Sequence, residues 1–174
     1  MNIIFSNFDE LKWINFIEKL NFKLKTKNSI HIDYQEFINS YKNQLKNKNC
    51  NYLFYNMHDM VLNNFKSNLK IKDYIHNKFF FSHFVIINEM IKKFDPYNNL
   101  SINDVKNHYN ISINYWMNFL KENKIDLVFS KITPNNFYDY VIYLCCKKLG
   151  IKFIFFDFNY IKDIFSLCSN IHNK

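Results

Sequence analysis

The stretch Ile125–Phe156, IDLVFSKITPNNFYDYVIYLCCKKLGIKFIFF, decides the fold. Ile125–Ser130 is a continuous apolar run of strand length, and Ile151–Phe156 is another. Between them, Phe137–Leu149 places Tyr138, Ile142, Cys145 and Leu149 on one helical stripe. Ile132–Asn136, with Thr133 and Pro134, reads as the loop before that helix. Gly150, the one glycine in the chain, stands just past its end, where a positive φ is wanted. Strand, helix and strand in this order predict a βαβ unit with a right-handed crossover. Strands apolar on both sides belong to a parallel sheet covered on both faces.

Working outward, Asn2–Ser6 predicts a buried strand, and Phe8–Leu20 a helix with Trp13, Phe16, Ile17 and Leu20 on its apolar face. Ile30–Ile32 predicts a short strand. Asp33 with Glu36 resembles a capping box that opens a helix carrying Tyr34, Phe37, Ile38, Tyr41 and Leu45. Asn51–Tyr55 predicts a third strand and Met57–Phe65 a short helix. Lys78–Phe94 is apolar on nearly all sides and predicts one central buried helix, stopped at Asp95-Pro96. Ser101 with Asp104 opens a further helix to about Asn123, whose face is Val105, Tyr109, Ser112, Ile113, Trp116 and Leu120. The expected fold class is α/β: one Rossmann-like, doubly wound parallel sheet of about five strands with a helical insertion over 67–124. An all-helical arrangement is the competing expectation, because the middle of the chain is so helical.

The composition narrows the function classes. The chain has 174 residues, 48% hydrophobic and 22% charged, which excludes global disorder. It contains no Arg and no Ala, and Gly and Pro are scarce while Lys, Asn, Ile, Phe and Tyr abound, as an AT-rich genome favours. The net charge of +8 is carried by lysines spread along the chain, the densest group being Lys23, Lys25 and Lys27. Without arginine, bidentate guanine reading has no donor, and no nucleic-acid partner is expected. Cys50, Cys145, Cys146 and Cys168 form no C-x-x-C, and no histidines pair at ligand spacing, so neither a metal nor a covalently bound cofactor is expected. Met1–Phe8 lacks the basic start of a secretory leader. The longest apolar stretch, Phe79–Ile87, falls far short of the ~18 residues of a membrane span. The expected location is cytoplasmic, with peripheral attachment to the inner membrane face left open through the lysines.

In open α/β sheets ligands bind at the carboxyl ends of the strands. That rule selects the loops beginning at Ser6-Asn7, Asn56-Met57-His58-Asp59 and Ser130–Asn136, and more weakly Asp157–Asn159. His58 and Asp59 are the acid/base candidates by residue type, although helix capping would also account for Asp59. Asn7, Ser130, Thr133 and Asn135 offer amide and hydroxyl groups to a sugar or phosphate; N-cap duty for Asn135 or Asn136 is the plainer alternative. Asp139, in the first helical turn, is a further substrate-binding candidate, with service to the helix dipole the plainer alternative, and Asp126 suits a turn at the start of its strand. His83 reads as a hydrogen-bonded core histidine. One glycine excludes both G-x-G-x-x-G and the P-loop.

From about Leu100 to Phe156 the sequence resembles bacterial capsule and surface-polysaccharide biosynthesis proteins of the glycosyltransferase type. The resemblance rests on Tyr115, Trp116 and Leu120, then Lys124–Ser130 and Pro134, then Asp139-Tyr140, Tyr143, Lys147-Lys148-Leu149 and Ile151-Lys152. That family often carries His directly after the loop proline. Asn135 stands there, which weakens an acid/base role for the loop. The resemblance implies the acceptor-side, N-terminal domain of a two-domain (GT-B-like) enzyme. A sugar or lipid-linked glycan acceptor would bind here. The nucleotide sugar donor would bind mainly outside this chain, on a further domain or partner subunit. A non-enzymatic interaction domain using the aromatic helices is the alternative, with a basic nucleic-acid binder behind it.

Overall fold

The computed structural model describes residues 1–8, 10–57, 71–93, 95, 97, 99–158 and 165–171. Six strands form one sheet: β1 (Asn2–Ser6), β2 (Asn28–Asp33), β3 (Asn51–Asn56), β4 (Leu127–Ser130), β5 (Lys152–Phe158) and β6 (Phe165–Cys168). Their spatial order is β3-β2-β1-β4-β5-β6. The first five are parallel, and β6 returns antiparallel along β5, pairing Phe155 with Cys168. The five expected strands are present, with β2 longer than expected, and the sixth strand is an addition.

The two sheet faces are written in the alternation of the strands. Ile4, Ile30, Ile32, Val128, Phe153 and Phe155 turn to one face. Ile3, Phe5, Leu127, Phe129 and Phe156 turn to the other. The second face is covered by α1 (Ile14–Lys23), through Trp13 and Ile17, and α2 (Gln35–Tyr41) packs beside it through Ile38 and Tyr41. The first face is covered by α3 (Lys78–Phe81), α4 (Phe84–Lys92), α5 (Ile102–Glu122) and α6 (Phe137–Leu149). From β1 the chain steps one way to β2 under α1. From β4 it steps the other way to β5 under α6. Crossovers of one hand in opposite directions require helices on opposite faces, which is double winding.

Local chemistry explains most element ends. The Ser101 hydroxyl accepts the Asp104 amide while the Asp104 carboxylate accepts the Ser101 amide, the reciprocal box that starts α5. The face expected for α5 is buried throughout, from Val105 to Leu120. Gly150 closes α6 at φ 71°. Asn2 donates its backbone amide to Asp126 Oδ2 and its carbonyl accepts the Asp126 amide, so Asp126 ties the start of β1 to the foot of β4 across 124 positions instead of closing a local turn.

Three expectations are corrected. The first helix does not begin at Phe8: Asn7 turns left-handed at φ 63°, Leu11–Trp13 forms a 3₁₀ turn, and α1 starts at Ile14. Asp33 does not build a box with Glu36; its carboxylate accepts the Tyr34 amide, and Tyr34 is the N-cap of α2. The long helix from Lys78 is two helices, because the chain tightens at Ser82-His83, where the His83 amide bonds Phe80 three residues back and the Ser82 hydroxyl takes the Phe79 carbonyl. Nor is it buried all round. Phe80, Phe84, Ile87 and Ile91 face the core, whereas Phe81 and Val85 are 57% and 72% exposed. The expected helix Met57–Phe65 lies almost wholly outside the described residues.

Candidate functional site

The strand order reverses direction between β1 and β4, so their carboxyl ends frame the crevice of the sheet. The sequence-chosen residues gather here and are mostly spoken for by the protein. The Asn7 side-chain amide donates to Asp139 Oδ1 at 3.1 Å and to Ser6 Oγ at 3.2 Å. Asn136 is the N-cap of α6: its Oδ1 accepts the Asp139 amide at 3.0 Å, and its Nδ2 donates to the other Asp139 oxygen. Asp139 is 1% exposed, and burial raises its carboxyl above the ordinary value against the pull of the two amides. Ser130 is fully buried and donates its hydroxyl to Ile132 O at 2.8 Å. Thr133 donates to Asp157 Oδ1 at 3.3 Å, tying the loop to the end of β5. Lys131 reaches Glu10 at 2.6 Å, with Lys12 on the second Glu10 oxygen, and these two lysines hold the Glu10 carboxyl below its usual value. Asn135 is exposed on the loop. Asn7, Ser130 and Asp139 therefore shape the crevice, while Asn135 stays exposed to solvent. His58 and Asp59 lie outside the described residues.

Beside the crevice, between α4, α5 and the start of α6, opens a cavity of about 580 Å³. That volume is ordinary for a small-molecule site. Ile91, Val105 and Phe137 give it an apolar wall, and Asp104, Asn107 and His108 supply its polar groups. It sits at the carboxyl edge of the sheet because α5 runs back from that edge into β4, and α6 leaves from it. The His108 ring stacks on Phe137 at 4.9 Å and 28°, and meets Tyr138 edge-on at 6.3 Å. Burial lowers the His108 pKa, which favours the neutral imidazole. At the rim, hydrogen bonds from Ser101 keep the Asp104 carboxyl below its usual value, hence ionised.

The sequence offered one signal for His108. It lies three residues after Val105 and one before Tyr109, on the flank of the buried stripe of α5. Its partner Phe137 comes from another element, and no spacing rule links them. His83 is hydrogen-bonded as expected, its Nδ1 3.0 Å from the Tyr140 hydroxyl, but it is half-buried at the break between α3 and α4 rather than in the core. The four cysteines are free. Among the described residues no group of three His, Cys, Asp or Glu side chains is gathered to hold a metal ion, and no helix is long and apolar enough to cross a membrane.

Strand order, two-sided cover and an open carboxyl edge define a mixed α/β domain compatible with the Rossmann-like class. Comparison with family models, with curated proteins and with solved structures gave no match for this chain.

Proposed function

We propose that this chain is a glycosyltransferase-like domain of surface-polysaccharide assembly that binds the sugar acceptor at the carboxyl edge of its sheet. The supporting observation is the neutral His108 imidazole stacked on Phe137 in a half-open aromatic cavity beside the switch point. In a transfer step the acceptor hydroxyl oxygen bonds the anomeric carbon of the donor as the donor's leaving group departs. The hydroxyl proton goes to the His108 imidazole as general base. Tyr138 flanks that position, and an aromatic wall suits the apolar face of a sugar ring. The nucleotide sugar is the co-substrate, held mainly by a further domain or partner subunit.

The test is proton NMR of the histidine ring resonances during addition of octyl β-D-glucoside below its micellar concentration, with His108→Gln used for assignment. A saturable shift of the His108 resonances is expected. Unmoved His108 resonances at high glucoside overturn the acceptor reading.

A second reading, an interaction domain, is favoured by the exposed Phe81 and Val85 on the outer side of α3 and α4. A mass in sedimentation that rises with concentration, and falls back in Phe81→Ser/Val85→Ser, supports it. A constant monomer mass removes it for self-association.

A further inference from the structure

At the opposite, amino edge of the sheet, the loops α1–β2 and α2–β3 enclose a cavity of about 530 Å³ that the proposed acceptor site does not use. Its inner wall is Asn21 and Thr26, which are 1% and 3% exposed. Its rim carries Lys23, Lys25 and Lys27, the densest lysine group in the sequence, and the ring of Phe22, which is 74% exposed. Among the described residues none of these three lysines is ion-paired. Asn47 and Asn49 close the far side.

The backbone here is firmly placed. Thr26 donates its amide to Asn21 O at 3.0 Å and Lys25 to Phe22 O at 3.2 Å, the paired bonds that close a helix around a left-handed residue, here Lys25 at φ 49°. Lys27 is held between Met1 O and the Asn51 amide, at the feet of β1 and β3. In this fixed bed two polar atoms are left over. The Asn21 amide donates to Ser29, yet its Oδ1 has no partner, and neither does Thr26 Oγ1. Buried oxygens of this kind are costly to leave unpaired. The end of α1 itself carries a partial negative charge of about half a unit, which three lysines outweigh.

From these features we infer that the amino-edge cavity binds a phosphorylated small molecule bearing a flat ring, of the nucleotide class. The lysines take the phosphate oxygens. Phe22 offers its face to the ring. The site is separate from the His108 cavity, so binding here and acceptor binding there stand or fall independently.

The test is NMR titration of the ¹⁵N-labelled full chain with ADP, with pyrophosphate and with phosphatidylglycerol vesicles. ADP is expected to shift the amides of residues 21–27 and 47–49 in a saturable manner. Lys23→Glu/Lys27→Glu, at exposed positions that leave the fold intact by circular dichroism, is expected to weaken ADP and pyrophosphate by about tenfold or more. Phe22→Ala is expected to weaken ADP by about tenfold and leave pyrophosphate unchanged. No saturable shift, or shifts confined elsewhere, overturns the site. Equal effects of Phe22→Ala on ADP and pyrophosphate overturn the ring-bearing class. Binding to vesicles without binding to ADP makes the lysine rim a membrane contact and overturns the small-molecule assignment.

Discussion

The side-chain amide of Asn7 lies 3.1 Å from the carboxylate of Asp139, and the two residues are 132 positions apart. This bond joins the end of β1 to the first turn of α6, across the point where the sheet changes direction. It fixes the floor of the crevice, because Asp139 also holds the Asn136 cap.

Two Asn7 variants separate this bond from the backbone it needs. Asn7 adopts φ 63°. Asn7→Gly removes the bonds to Asp139 and Ser6 and is expected to cost ~1–2 kcal/mol. Asn7→Ala is expected to cost ~1 kcal/mol more, since alanine is strained in the left-handed region. Urea denaturation of both variants checks the order.

Asp139 carries a pH signature. Its folded pKa is raised by burial from 3.8, so the stability it contributes is complete below the ordinary carboxyl value and is lost as pH rises through the raised one. Asp139→Asn keeps one acceptor oxygen and turns an NH₂ toward a second donor. It is expected to cost ~1–3 kcal/mol, with the larger penalty in acid and the smaller near neutral pH. Denaturation midpoints of both proteins across the acid range read this out.

His31 predicts the opposite slope. It is fully buried between the rings of Phe5, at 5.4 Å, and Phe54, at 5.2 Å, with its Nε2 on Ser29 Oγ. Burial lowers its pKa from 6.5 to about 3. A depressed histidine contributes stability above 6.5 that falls away on acidification, at about 1.4 kcal/mol per pH unit down to about 3. His31→Phe is expected to blunt acid unfolding, as seen in thermal melts at successive pH values.

Gly150→Ala tests backbone conformation alone. A Cβ at Gly150 meets nothing within 4 Å, yet φ is +71°. A loss of ~1 kcal/mol is expected with no change in contacts, measurable by urea denaturation.

Thiol labelling of the native chain should follow burial. Cys145 and Cys146 are fully buried and their thiols are pushed up, and Cys50 is pushed up to about 11. Iodoacetamide is expected to modify Cys168 first, with Cys145 and Cys146 labelled only on unfolding. Mass spectrometry of peptides over time gives the order.

How far the sequence reaches follows from the range of the forces. The βαβ unit, the Ser101–Asp104 box and the Gly150 terminus were legible because each rests on an apolar run or on bonds between residues a few positions apart. The Phe8 start and the single helix from Lys78 were misread. The left-handed turn at Asn7 and the break at Ser82-His83 depend on which polar atoms find partners, and periodicity does not encode that. The sequence does not mark His108, because its meaning comes from Phe137, in a different helix.

The sequence by itself determined the α/β class, the five parallel strands and both ends of α5 and α6, since burial period and capping are local properties. Only the tertiary structure decided the strand order, the antiparallel β6, the Asn7–Asp139 bond and the two cavities. Those features are contacts between segments far apart in the chain, formed where packing brings their side chains together.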